Sequence, residues 1–169
     1  MFKKTSSQQS LFGIDTQLSE GLQTRLRSSW AHLFKVEILP ILFRCEDKFS
    51  ILYGKTGRPN FSVARAIALC LLQEYNDLND QEALDAFGFD IRWRYALDIS
   101  DDHAYLSRRS LVEFRRRLAA KDPGRKLIRG IFEKISKRAI KKLNFVFSRN
   151  NVSSKKIPIP ISLGAMIKR

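Results

Sequence analysis

One segment constrains the fold more than any other. After Ser62, the apolar residues Val63, Ala66, Ile67, Cys70 and Leu71 recur at steps of three and four. That spacing lines one face of a helix, with Ser62 placed to cap its first turn. The segment 62–75 therefore reads as the core helix of an all-α domain. The rest of the chain follows the same period. Leu18, Leu22, Leu26, Trp30 and Leu33 form one stripe, with Ser19-Glu20 at its start. Val36, Ile38, Leu39, Leu42 and Phe43 form another, with Pro40 expected to kink or restart the helix. Phe49, Leu52 and Tyr53 make a short third apolar piece.

Breaks between the periodic segments are equally legible. Gly54-Lys55-Thr56-Gly57-Arg58-Pro59-Asn60 is turn-rich, but it lacks the spacing of a phosphate loop and no strand pattern leads into it. Asn79-Asp80-Gln81-Glu82 has the form of a capping box, opening a helix with Ala83, Leu84, Ala86 and Phe87 that is expected to end at Gly88. Ile91, Trp93, Tyr95 and Leu97 alternate with more polar residues, a short period of two that allows a strand. In a helical chain, another short helix or an extended link is preferred. Asp98 to Asp102 reads as a turn. Ser107 caps a helix holding Leu111, Phe114 and Leu118. Lys121-Asp122-Pro123-Gly124 breaks it, and a longer helix follows through Leu127, Ile131, Phe132, Ile135, Ala139 and Leu143. Three regions result: residues 1–14 as a flexible N-terminal arm, 15–143 as a compact multi-helix domain, and 144–169 as an irregular basic tail whose Pro158 and Pro160 forbid a helix there.

Several chemistries find no support. Neither His32 nor His103 has a Cys or second His nearby, so no zinc site is expected. Cys45 and Cys70 stand alone in apolar surroundings and read as buried thiols. Asp77, Asp80, Glu82 and Asp85 form one acidic group and Asp98, Asp101 and Asp102 another. Helix capping and solvation account for them more simply than a metal site. No catalytic residue, metal or cofactor is expected. The N-terminal Met1-Phe2-Lys3-Lys4 leads into no apolar run, and no run is long enough to span a bilayer. The expected compartment is the cytoplasm, in association with the nucleoid.

Charge is what the chain has in excess. The net charge is +14, and it is unevenly placed. Residues 1–106 carry 12 Lys+Arg against 14 Asp+Glu, whereas residues 107–169 carry 19 against 3. So dense a field of one sign repels itself unless an anion screens it, and nucleic acid is the commonest such anion in a cytoplasm. The helix after Ser107 bears Arg108, Arg109, Arg115, Arg116 and Arg117; Arg125, Lys126 and Arg129 follow. Guanidinium forks bind phosphate oxygens bidentately and also read guanine edges. Helices 62–75, 79–87 and 107–120 together resemble a helix-turn-helix arrangement. These eight cations are the expected DNA-binding residues. Membranes and acidic proteins also attract basic amphipathic helices, but the Trp- or Phe-heavy opposing face of a membrane anchor is missing.

Specific residues also carry a family resemblance. In order they are Phe49-Ser50-Ile51-Leu52-Tyr53, Gly57-Arg58-Pro59-Asn60, Leu78-Asn79-Asp80-Gln81-Glu82, Arg94-Tyr95-Ala96-Leu97, and Ser107 through Leu118 with its Phe114-Arg115-Arg116-Arg117-Leu118 ending. The series resembles the N-terminal domain of bacterial insertion-sequence transposases (InsH-type) over roughly residues 18–143. The resemblance implies a helical domain that binds the terminal repeats of a mobile element. In longer chains it precedes a ribonuclease-H-like domain whose three carboxylates, D-D-E, bind two divalent metals and cut and join DNA. The first of these carboxylates is expected soon after the segment matching Ala139-Ile140-Lys141-Lys142-Leu143-Asn144. Residues 145–169 contain no Asp or Glu. No catalytic carboxylate can be carried over, and the expectation is a truncated transposase without strand-transfer activity of its own. The alternative is a regulatory or inhibitory product that pairs with itself or with full-length transposase, or a non-functional remnant.

Overall fold

The computed structural model describes residues 1–5, 18–57, 59–99 and 105–149, with side chains described as far as Arg138. Every regular element among them is helical. These are α1 (Glu20–Arg27), α2 (Trp30–Leu33), α3 (Leu39–Cys45), α4 (Val63–Tyr75), α5 (Asp80–Phe89), α6 (Ile91–Ala96), α7 (Arg108–Lys121) and α8 (Lys126–Arg149). No helix among the described residues is long and apolar enough to cross a membrane.

Helix α4 is the centre. Val63, Ala64, Ala66, Ile67, Ala68, Leu69, Cys70 and Leu72 are all buried, so the helix is covered on more than the single face its spacing defines. It packs against α3 and α5. Ser62 caps it as the sequence predicts, its Oγ accepting from Arg65 N at 3.3 Å. Burial pushes the Cys70 thiol up to about 12, which keeps it a neutral core residue. Arg65, the one cation on this helix, is turned to use: its Nε donates to Leu97 O at 3.0 Å and its Nη2 to Asp98 O at 2.6 Å. Those bonds satisfy the carbonyls at the end of α6 and fix α6 to the core.

Local signals are realised unevenly. The Asn79 capping box forms in full: Asn79 Oδ1 accepts from Gln81 N and Glu82 N, and Glu82 Oε2 accepts from Asn79 N at 2.7 Å. The predicted stop at Gly88 does not occur. Helix α5 runs on through Phe89, and Asp90 both ends it and caps α6 by accepting from Arg92 N at 2.8 Å. A residue serving two helices removes any need for a left-handed glycine. The alternating stretch from Ile91 is helix α6, with Trp93, Ala96 and Leu97 at helical spacing in the core. The stripe from Leu18 to Leu33 is not one helix: it breaks at Ser28-Ser29, where Ser29 caps α2. Leu22 and Trp30 are exposed while Leu26 and Ala31 are buried.

At Pro40 the helix restarts, as expected. Residues Phe34–Ile38 widen into a π-helical turn in which Leu39 N donates to Phe34 O, and α3 begins with Pro40 in its first turn. The wider turn removes the clash that the proline ring would make with the preceding turn of an α-helix. After α3 the chain tightens into a 3-10 segment, Glu46–Leu52, that buries Phe49 and Leu52.

The two chain ends also differ from expectation. Residues 1–5, read as part of a flexible arm, are tied down: Met1 O accepts from Asn60 N, Lys3 N donates to Asn60 Oδ1, and Thr5 donates through both N and Oγ1 to the Glu46 carboxylate at 2.9 Å. Residues 6–14 of that arm lie outside the described residues. Helix α8 does not end near Leu143 but continues to Arg149. The remainder of the tail, 150–169, lies outside the described residues.

Buried carboxylates join the segments. Glu46 is 1% exposed and accepts from Thr5, from Ser62 Oγ at 3.1 Å and from Ala64 N at 3.2 Å. Asp122 accepts from Lys126 N, Leu127 N and Ile128 N, which caps α8. Asp80 accepts from Arg115 Nη2 and from Gln73 Nε2 at 2.8 Å, which binds α7 to α5 and α4.

Two outcomes follow from these contacts. Glu46→Ala leaves donors from two segments, the N-terminus and the start of α4, without their acceptor, at a cost of about 1–3 kcal/mol. The urea midpoint should fall with little change in slope. Asp80 gives a pH signature. Burial pushes its carboxyl up, but hydrogen bonds from Arg115 and Gln73 and the charges of Arg115 and Arg108 outweigh that and hold it below its ordinary value. Its contribution is therefore present above the unfolded carboxyl's value of about 3.9 and is lost as pH falls through the lower folded value. In urea titrations, Asp80→Asn should be less stable than wild type near neutrality. Its stability should also fall less steeply on acidification below about pH 4.

Candidate nucleic-acid interface

Helix α7 sorts its own arginines. Leu111, Phe114 and Leu118 face the core, and Arg115 goes in with them: it is 7% exposed and paired to Asp80. Arg115 is thus a structural residue and is withdrawn from the predicted contact set. Its neighbour on the helical repeat, Arg108, is exposed yet close enough to Asp80 to lower that carboxyl.

Arg109 and Arg116 occupy the solvent face of α7, opposite the core stripe, with Glu113 between them. Glu113 accepts from Arg116 Nε at 2.8 Å and Nη2 at 3.0 Å, and from Arg117 Nε at 2.7 Å. These two forks pull the Glu113 carboxyl down to about 2, so it stays ionised and offsets part of their charge. Arg117 is only half exposed and lies with its guanidinium 5.4 Å from the Tyr53 ring centre. It borders a groove of about 590 Å³ between α7 and the segment holding Tyr53, Asn60 and Phe61.

The remaining predicted cations lie past the Asp122 turn. Lys126 and Arg129 are exposed on the first turns of α8, and Lys121 is exposed at the end of α7. Arg125 is partly buried and adopts a left-handed backbone (φ 52°), with its N–H donating to Asp122 O at 2.8 Å. So the structure leaves Arg108, Arg109, Arg116, Lys126 and Arg129 open to solvent, half-covers Arg117 and Arg125, and buries Arg115.

Two further features had no strong sequence signal. Phe89 and Tyr105 are 86% and 83% exposed and flank an open groove of about 570 Å³ that Arg108 also borders. Nothing in their spacing sets them apart from core aromatics. A second concave patch gathers Arg44 from α3 with Lys134, Lys137 and Arg138 from α8. Arg44 falls in the near-neutral half of the sequence, where no charge cluster marks it.

The acidic groups resolve as caps and pairs. Asp80 is bound to Arg115, Glu82 closes its capping box, Asp85 accepts from Gln81 Nε2 at 2.9 Å, and Asp98 pairs with Lys35 at 2.9 Å. His32 Nδ1 lies 2.8 Å from Tyr95 Oη. Among the described residues, no three His, Cys, Asp or Glu side chains gather as a metal site would require. Asp101, Asp102 and His103 lie outside the described residues.

Comparison with known proteins gives one positive result. No curated protein and no solved structure matches the chain. Residues 35–117 match the family model described as Transposase domain (DUF772). The matched span begins in the π-helical turn, includes the core helix α4 and the capping-box helix α5, and ends at Arg117 of α7. The chain carries a DUF772 transposase domain over residues 35–117, consistent with the N-terminal region of an insertion-sequence transposase.

Proposed function

We propose that the chain is the DNA-binding N-terminal part of an insertion-sequence transposase, recognising element-end DNA without carrying out strand transfer itself. The observation that carries this reading is the set of exposed cations Arg108, Arg109, Arg116, Lys126 and Arg129 on α7 and α8, attached to a transposase domain. Arginine forks suit phosphate oxygens and guanine edges alike. Glu113 tempers the face, because duplex binding has to draw Arg116 and Arg117 partly away from it. Such a tether disfavours arbitrary polyanions and rewards a ligand whose acceptors match the arginine positions. The transposase domain supports a role in transposition.

A second reading is regulatory. Phe89 and Tyr105 expose far more aromatic surface than a monomer gains from. A full-length transposase chain covering them would let this product pair with that enzyme and inhibit it. Co-purification lost on Phe89→Ser/Tyr105→Ser, with DNA affinity unchanged, is the outcome that favours it.

The DNA reading has a direct test. If the face neutralises about six phosphates, the logarithm of affinity should fall with that of salt at a slope near −5. Fluorescence anisotropy with element-end and scrambled duplexes, from 50 to 200 mM salt, measures it. Arg109→Ala/Arg129→Ala should weaken both and flatten the slope by about 2. Arg115→Ala should lower folding stability instead, with the salt slope retained. A flat salt response in the wild type would falsify the reading.

A further inference from the structure

The groove between α3 and α8 is lined by four cations and no carboxylate. Ile41 and Cys45 of α3 form its apolar lining, and Arg44, Lys134, Lys137 and Arg138 surround it, enclosing about 450 Å³. Arg44, Lys134 and Lys137 are exposed. Lys134 Nζ lies 3.8 Å from Cys45 Sγ, at the edge of the apolar lining. Arg138 Nε donates to Glu37 Oε2 at 3.0 Å, yet 55% of the Arg138 side chain remains exposed. Glu37 is buried and does not line the groove. No carboxylate lines it, and the sequence from Lys134 to Arg169 holds no Asp or Glu to supply one.

Arg44, Lys134 and Lys137, with no carboxylate in the lining to offset them, repel one another unless an anion joins them. The geometry of α8 says which anion. Lys137 lies eleven residues beyond Lys126. At about 3.6 residues per turn, that is three turns, so the two lysines fall on one stripe of the helix about 16 Å apart along its axis. Two cations that far apart on one stripe suit an extended anion with many phosphates rather than a single small anion.

We propose that this groove binds the phosphodiester backbone of the same nucleic acid, extending the contact along α8 and bringing in Arg44 from the near-neutral half. The proposal rests on the DNA-binding reading above and adds a second contact to it. Arg44, Lys134 and Lys137 hold phosphate oxygens as point charges and a fork, while Ile41 and Cys45 keep the floor dry. Arg138 stays anchored to Glu37, which fixes α8 against the π-helical turn and sets the width of the groove.

The test compares the full chain with Arg44→Glu/Lys137→Glu and with a charge-matched control, Arg25→Glu/Arg27→Glu, on the exposed face of α1. Each is titrated with duplex DNA from 50 to 200 mM salt, after thermal melts. The groove variant should bind at least tenfold more weakly at 100 mM salt, with its salt slope reduced by about 2, and the α1 variant should retain the wild-type slope. Wild-type binding with equal slopes for the two variants overturns the groove contact and leaves the DNA-binding reading standing. A wild-type chain that does not bind duplex overturns both. Tighter binding to poly-glutamate than to DNA also overturns the groove contact. Acetylation footprinting of the wild type needs no variant to fold: DNA should protect Lys134 and Lys137 but not Lys55, and undiminished labelling at the two groove lysines refutes the contact.

Discussion

A buried carboxylate fixes where the core helix starts. Glu46 stands at the beginning of the 3-10 segment with almost no contact with solvent, and so has to be fully hydrogen-bonded. Its acceptors are met by Thr5, Ser62 and Ala64, from the chain terminus and the first turn of α4. The same bonds that solvate Glu46 therefore set the position of α4. Because α4 is buried on most sides, its position sets that of α3 and α5 in turn. The negative charge also lies at the N-terminal end of the helix, where the macrodipole favours it.

The same logic explains why the two halves of the chain differ so much in charge. The near-neutral half supplies acids that the basic third needs. Asp80 receives Arg115 and docks α7; Glu37 receives Arg138 and docks α8. Removing one partner of such a pair leaves an uncompensated charge in a poor solvent, which is far more costly than the pair is stabilising. Acids in residues 1–106 and cations beyond are thus partly one design. The excess that remains after these pairs is what faces solvent.

Much of this was legible in the sequence, and the gaps have physical causes. Caps were readable at Ser62, Asn79 and Ser107 because a polar side chain before an apolar period has a local role. The core helix was readable from its spacing. The end of α5 was not, because Asp90 shares its role with α6, a tertiary economy that a single glycine signal does not report. Pro40 reads as a kink or restart because a proline removes one backbone donor, and α3 does restart there, after a π-helical turn that the sequence does not announce. The fate of the arginines was the hardest part. Arg115 and Arg116 are adjacent and chemically identical, yet one is interior and the other exposed. The helical repeat puts position 115 with Leu111 and Leu118 on the core face, and Asp80, thirty-five residues away, supplies the partner that lets an arginine sit there.

That division has a consequence for how such a surface works. Three arginines, at positions 65, 115 and 138, are held by carbonyls or buried carboxylates and are bound to the fold. Arg116 and Arg117 are held only by an exposed glutamate, a contact that salt and competing anions weaken. Arg109, Arg129, Lys134 and Lys137 are exposed. The cations thus form a graded series, from fixed to loosely tethered to open, with the tethered pair at the centre of α7. On the proposed DNA-binding reading, a polyanion would meet the open charges first and gain the tethered pair only by exchanging Glu113 for its own acceptors. Long-range attraction would then come from charge count, and discrimination from whether the ligand's acceptors fit where the arginines are released.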